Sequence, residues 1–408
     1  MRITLVSTFY PPLAFGGDAV HVHGLAAGLA ARGNAVRVVH TGSAFRLLAT
    51  VAPLSGYGPI DGVEVIDLDI GRPALVGTYI TSKPVGYSAK LAAALDGSDV
   101  VHFHNPSLLG GVGGIRCTNA IRMYTAHEHW LLCPMHTLFR NNAEVCTQRT
   151  CIRCCASYRR PPQPWRWTDA VDRAVAELDV LICPSRFTAA LHEARYPNAN
   201  VRVVTPPGPR RVERSLASAP NEGRPFVLFV GRLQAIKGAL WMAKSLQNRT
   251  TIDVVFAGDG PERNELERVA AADPHLKVVG QQSREEVMDL VESATAVVIP
   301  SLGYETFGGV GREAMSVGTP IVVRALGPLP ELIEHGGGVS FSNAQELCEI
   351  VERLSNDAAW TRALRLAVPT VASNDDHERF FDEYFALIEQ AARRRGEHEL
   401  AAAAERQR

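Results

Sequence analysis

Short apolar runs of strand length alternate with longer helix-length stretches along most of this chain, and that alternation restricts the fold more than any other feature. Strands separated in this way form parallel sheets with helices on both faces. In the first half the predicted strands are Ile3–Ser7, Val36–His40, Val63–Leu68, Val100–His104, Ile121–Thr125, Val180–Cys183 and Val201–Thr205. In the second half they are Phe226–Val230, Asp253–Ala257, Lys277–Val279, Ala296–Ile299 and Ile321–Val323. Between the halves, Pro206-Pro207-Gly208-Pro209 opens a polar stretch that ends near Arg224 and has the composition of a linker. With 408 residues and 46% hydrophobic content, the chain exceeds what a single core usually organises. The expected organisation is an α/β domain over residues 1–206, a linker over 207–224, a second α/β domain over 225–375 and a helical segment over 376–408.

Charge excludes one broad class. Lys and Arg number 42 against 43 Asp and Glu, a net charge of −1, whereas a nucleic-acid binder needs a basic excess. No apolar run reaches the length of a membrane span, and Met1-Arg2-Ile3-Thr4-Leu5-Val6 reads as a strand rather than a signal peptide. A cytoplasmic protein is expected.

Two strand-to-loop junctions in the second half concentrate polar chemistry. After the run Ala296-Val297-Val298-Ile299-Pro300, Glu305 and Glu313 flank the glycine-rich segment Thr306-Phe307-Gly308-Gly309-Val310-Gly311-Arg312. Backbone N–H groups at a helix start favour negative charge, and carboxylates accept hydrogen bonds from hydroxyls. A sugar joined to a diphosphate needs both, although two glutamates can equally be a solvated surface pair. Upstream, Val227-Leu228-Phe229-Val230-Gly231-Arg232-Leu233 leads to Lys237-Gly238. Arg232 offers a planar fork to phosphate oxygens and Lys237 a compact charge, against the alternative of ordinary surface cations.

Taken in order, Gly231-Arg232 with Lys237-Gly238, Gly258-Asp259-Gly260-Pro261, Pro300-Ser301 through Glu313-Ala314, and Gly318-Thr319-Pro320-Ile321-Val322 resemble the nucleotide-sugar domain of the retaining glycosyltransferases of family GT4. The resemblance implies the GT-B fold, an α/β architecture of two facing Rossmann-like domains with a deep interdomain cleft and C-terminal helices that cross back to the first domain. It implies transfer of a hexose-type sugar from a nucleoside diphosphate sugar, UDP favoured, to a hydroxyl of a small-molecule or glycan acceptor. Transfer would proceed with retention by a front-side route and no cofactor for catalysis. Arg232, Lys237 and the backbone of Phe307-Gly308-Gly309 would meet the growing charge on the leaving diphosphate. Glu313 would hold the ribose, Glu305 and Thr306 the sugar hydroxyls, and Gly260 would line the donor site.

At the front of the chain, Phe9-Tyr10-Pro11-Pro12 and Gly16-Gly17-Asp18 lie between the first strand and the first helix. Glycines there let backbone approach a ligand, or simply make a tight connection. The family resemblance gives Gly16 and Gly17 an approach to the donor diphosphate; Asp18 reads equally as an N-cap. Histidines cluster in this half: His21 and His23, His102 and His104 on one strand face, then His127, His129 and His136. The pair on the helix reads as packing in preference to metal binding. Thr125-Ala126-His127-Glu128 resembles the family's His-Asp segment, which gives His127 a contact with the donor sugar and leaves Glu128 as a substitution.

Five of the eight cysteines fall between Cys133 and Cys155. Cys151-Ile152-Arg153-Cys154 is a C-x-x-C knuckle that, with Cys133 and Cys146, offers four thiolates for a structural zinc or an iron–sulfur cluster; thiols packing an inserted loop are the other reading. This region, near residues 130–167, is expected to be an insertion in the first domain. Arg149, Arg153, Arg159, Arg160 and Arg166 alternate with Tyr158, Trp165 and Trp167 and contain no acid among them. That strip suits an anionic acceptor, peripheral membrane contact or a solvated loop. Two other functions fit parts of the pattern, a nucleotide-sugar epimerase of the same fold and a non-catalytic nucleotide-sugar sensor.

Overall fold

A computed structural model describes residues 1–49, 52–208, 224–369 and 374–408. Residues 209–223 of the expected linker lie outside them. The chain divides into two compact units, one made of Met1–His136, Arg159–Pro206 and Arg379–Arg408, the other of Thr137–Tyr158 and Pro207–Glu378.

Strands β1 (Arg2–Ser7), β2 (Ala35–His40), β3 (Val63–Asp67), β4 (Val100–Asn105) and β5 (Ile121–Thr125) are followed by the hairpin strands β6 (Phe139–Arg140) and β7 (Glu144–Val145), then by β8 (Val180–Cys183) and β9 (Val201–Val203). The first unit holds a seven-stranded parallel sheet in the order β3-β2-β1-β4-β5-β8-β9. Both faces are covered, so β4 is buried along its whole length and β1 at every residue but its first. The order reverses between β1 and β4, and the loops leaving those two strands diverge there. Such a switch point is where doubly wound sheets bind ligands.

Helix α1 (Gly17–Ala31) returns from β1 and packs through Val22, Leu25, Ala26 and Leu29. Its Gly28 admits a close neighbour, since a Cβ there would stand 2.2 Å from the Phe381 ring. Phe381 belongs to the C-terminal helix Asn374–Arg395, and the Arg32 guanidinium lies 3.8 Å from its ring centroid. Phe380, Tyr384, Phe385 and Ile388 enter the same core as β1 and β4. The expectation that the chain's last helices join the first domain therefore matches the placement of Arg379–Arg408 in the first unit.

In the second unit, β10 (Phe226–Val230), β11 (Asp253–Ala257), β12 (Leu276–Gly280), β13 (Ala296–Ile299), β14 (Ile321–Arg324) and β15 (Gly338–Phe341) form a parallel sheet ordered β12-β11-β10-β13-β14-β15. Here the switch point lies between β10 and β13. β15 was not among the predicted strands, because Gly336-Gly337-Gly338 reads as a turn; Gly338 nonetheless pairs with Ile321.

One boundary needs correcting. The cysteine-rich insertion was expected in the first domain, but Thr137–Tyr158, with the β6–β7 hairpin, belongs to the second unit. Packing explains this: Phe139 is 1% exposed, and a Cβ on Gly303 would lie 2.6 Å from Ile236 and 3.0 Å from Phe139, so the hairpin sits against the loops that follow β10 and β13.

Phe381→Ala removes a ring that α1 and the C-terminal helix share in the first unit's core. It should cost about 3–5 kcal/mol and lower the thermal midpoint in a denaturation experiment.

Candidate functional site

Each switch point carries its own set of polar groups. In the second unit, Lys237 follows β10 and Glu305 follows β13. Lys237 Nζ donates to both Glu305 oxygens at 2.7 and 2.9 Å, and Ser301 Oγ donates to Oε1 at 2.6 Å. The two loops are also tied through backbone, with Leu302 N donating to Ile236 O at 2.8 Å. Gly238, at φ 74°, is required here: a Cβ would meet Pro300 O at 2.3 Å. The loop after β11 joins the same group, because Gly260, at φ 156°, would place a Cβ 2.5 Å from Leu233 O. Leu233 N donates to Asp259 O at 2.8 Å.

Arg232 stands apart from this pairing. Its side chain makes no hydrogen bond or ion pair among the described residues, and surrounding protein lowers its pKa with no carboxylate in compensation. The side chain is exposed, so its planar fork is open to an anion. Glu305 and Lys237 therefore meet directly, while Arg232 leaves the same loop uncommitted. Glu313 lies in the helix Gly309–Ser316, where burial raises its pKa and Arg284 opposes the rise. Gly308 caps that helix in the left-handed region at φ 92°, whereas a Cβ on Gly309 would meet nothing within 4 Å. Thr306 and Phe307 are half-buried in the loop before it.

In the first unit, the loop from β1 reaches the end of β4 through Thr8 N, which donates to Asn105 O at 2.6 Å. Gly16 caps α1 with extended backbone, and neither Gly16 nor Gly17 is crowded, the nearest atom to a Cβ on either being 3.8 Å away. Packing thus imposes neither glycine. Asp18 is not the N-cap that the sequence allowed; it lies in the first turn, accepts from Asn105 Nδ2 at 3.3 Å and has its pKa raised by burial and by Glu128. Glu128 in turn pairs with His136 Nδ1 at 2.8 Å.

Four histidines surround this switch point. His102 is pinned between Tyr384 Oη at 3.1 Å and Thr125 Oγ1 at 2.8 Å, and its ring centroid lies 4.0 Å from that of His104. His104 Nδ1 and His127 Nε2 are 2.8 Å apart, one of them donating. The His21 ring lies 4.9 Å from that of His127. Burial lowers the pKa of His21 to about 4 and of His102 to about 3, and holds His104 and His127 well below the usual range. All four are neutral imidazoles at pH 7.

The four cysteines set out as a metal site fall in different units. Cys133 belongs to the first unit and Cys146, Cys151 and Cys154 to the second. Among the described residues, the group of His, Cys, Asp or Glu whose ligand atoms approach within 4.8 Å of one another is His21, His104 and His127. Local bonding explains part of this: Cys154 is buried, its sulfur accepting from Asn141 N at 3.4 Å, while Cys133 N turns back onto His129 O at 2.8 Å. The basic strip is also divided. Arg166 donates to Trp130 O at 2.7 Å and stacks 4.4 Å from the Trp165 ring, which is itself buried. Sequence reasoning missed Ser301 as a partner of Glu305 and the union of His21 with His104 and His127, whose members come from three separate segments.

Residues 15–208 match the sequence family described as Glycosyltransferase Family 4, and residues 224–357 match the one described as Glycosyl transferases group 1. An uncharacterized glycosyltransferase of Methanocaldococcus jannaschii is 26% identical, over 93% of this chain and 94% of its own. The D-inositol 3-phosphate glycosyltransferase of Mycolicibacterium smegmatis is also 26% identical, over 87% of this chain and 82% of its own. Among solved structures, sucrose-phosphate synthase from Thermosynechococcus elongatus superposes with a TM-score of 0.65 at 19% identity, covering 94% of this chain and 99% of that one. The Anabaena protein HepE in complex with UDP-glucose gives 0.65 at 18% identity, covering 97% and 100%. Among the described residues, no helix is long and apolar enough to cross a membrane.

The depressed histidines set a direction for stability. Their folded pKa values lie below the unfolded value of about 6.5, so the unfolded chain binds more protons as pH falls below that point. The stability is fully present above pH of about 6.5 and is lost on acidification. His102 alone should withdraw about 2 kcal/mol by pH 5. Thermal melts should show the midpoint falling from pH 7 to pH 5, and His102→Gln should make that fall shallower.

Proposed function

We propose, from the premise that this chain belongs to glycosyltransferase family 4 and has the GT-B fold, that it transfers a hexose-type sugar from a nucleoside diphosphate sugar, UDP favoured, to a hydroxyl acceptor with retention. The observation that carries this reading is the uncommitted guanidinium of Arg232 on the same loop as the Lys237–Glu305 pair. A departing diphosphate needs fixed donors where its charge grows. Arg232 supplies a fork, and the Lys237 ammonium has three donors, of which two go to Glu305. The third is left for a phosphate oxygen. Backbone N–H groups at Gly308 and Gly309 add to the field at the helix start.

Glu305, oriented by Lys237 and Ser301, accepts from hydroxyls of the transferred sugar, with Thr306 beside it. Glu313 holds the ribose. Its raised pKa keeps the charged form costly until hydroxyls donate to it. Gly16, Gly17 and His127 keep the roles that the family resemblance gives them, and the neutral state of His127 suits it to hydrogen bonding with a hydroxyl. In the front-side route the leaving phosphate takes the acceptor's proton, so no separate base is assigned. Two fixed cations do what a divalent ion would otherwise do for the leaving group, so no cofactor is assigned to catalysis. That HepE has been captured with UDP-glucose supports a UDP-sugar donor.

Mass-coded nucleotide sugars separate the competing readings. Release of free nucleoside diphosphate marks a transferase, sugar isomerisation an epimerase, and tight unreacted binding a sensor. Lys237→Ala should retain the wild-type melting profile and lower turnover by about 10²–10³-fold. Near-normal turnover in this variant would reject the assignment.

A further inference from the structure

The first unit brings together three imidazoles that the proposed transfer reaction does not require as a group. His21 comes from α1, His104 from β4, and His127 from the loop after β5. One ligand nitrogen of each lies within 4.8 Å of the other two. Ring centroids are 4.9 Å apart for His21 and His127, 5.1 Å for His104 and His127, and 5.9 Å for His21 and His104. In a tetrahedral zinc site, with Zn–N near 2.0–2.1 Å, ligand nitrogens stand about 3.3 Å apart.

We propose that His21, His104 and His127 form a binding site for a divalent transition-metal ion, zinc foremost, with three imidazole ligands and a fourth position left to a water or an oxygen ligand.

Three observations support the assignment. His104 Nδ1 and His127 Nε2 stand 2.8 Å apart, so two of the rings already present nitrogens to one another, and the second nitrogen of His104, Nε2, is buried with no hydrogen-bond partner among the described residues. Three imidazoles are the ligand set of open zinc centres, and borderline nitrogen donors select zinc, copper or nickel over magnesium or calcium. His102 provides outer support. Fixed by Tyr384 and Thr125, it stacks against His104 and holds that ring in place.

The inference goes beyond the proposed transfer reaction; it shares His127 with that reading but is read by metal binding without turnover, so the failure of one is distinguishable from the failure of the other. Chelator-stripped full-length protein is titrated with Co²⁺, followed by its visible d–d absorption, and then back-titrated with Zn²⁺. The expected result is one saturable equivalent of cobalt per chain, displaced by zinc. His21→Gln and His104→Gln should each weaken cobalt binding at least about tenfold. His23→Gln, which changes another histidine of α1 outside the trio, should leave it unchanged. If burial prevents His104→Gln from folding, the half-buried His21 decides the matter. Absence of a saturable cobalt band, or full affinity in a folded His21→Gln protein, would overturn the proposal.

Discussion

Parallel pairing at the centre of each sheet is the constraint on which the rest of the structure depends. β1 beside β4, and β10 beside β13, are the places where each sheet's strand order reverses. The loops leaving those strands then diverge instead of crossing together to one side, and polar groups can face open space without breaking the ladder. In the second unit that geometry allows Lys237, which follows β10, to meet Glu305, which follows β13. In the first it sets His104 on β4 beside His21 on the helix after β1 and His127 after β5. The backbone therefore selects the partners, and the side chains supply the chemistry.

The two switch points differ in electrostatic character. In the second unit opposite charges neutralise each other at Lys237 and Glu305, while Arg232 remains uncommitted. A preformed ion pair of this kind holds its members in fixed orientation. In the first unit the concentrated groups are uncharged imidazoles, packed closely enough that protonating one opposes protonating the next. Such a cluster costs stability in acid and gains ligand strength at neutral pH.

Most of the fold was legible in the sequence because a doubly wound sheet leaves a strong trace. Strands covered on both faces, such as Val227–Val230, are continuous apolar runs and were placed correctly; β15, with glycine at its start, left no such trace. Lys237, Glu305 and Arg232 were legible as candidates through the spacing of their motifs, but the direct bond between two of them was not, since each had been given a different part of the donor. The His21–His104–His127 group was invisible for a related reason: its members are separated by strands and helices, and only the sheet order brings them together. Cysteines close in sequence made the opposite impression. Their spacing suggested a shared metal site, yet Cys146, Cys151 and Cys154 belong to the second unit and Cys133 to the first. Proximity along the chain was a poor guide where a short inserted hairpin packs on another core.

The account's central claim is that the loops after β10, β11 and β13 hold the donor diphosphate. Hydrogen–deuterium exchange of the full chain with and without UDP tests it most directly, because a ligand slows exchange where it binds and orders backbone. The account predicts slowed exchange over residues 231–238, 258–262 and 300–313. Saturating UDP that leaves all three segments unchanged would contradict it.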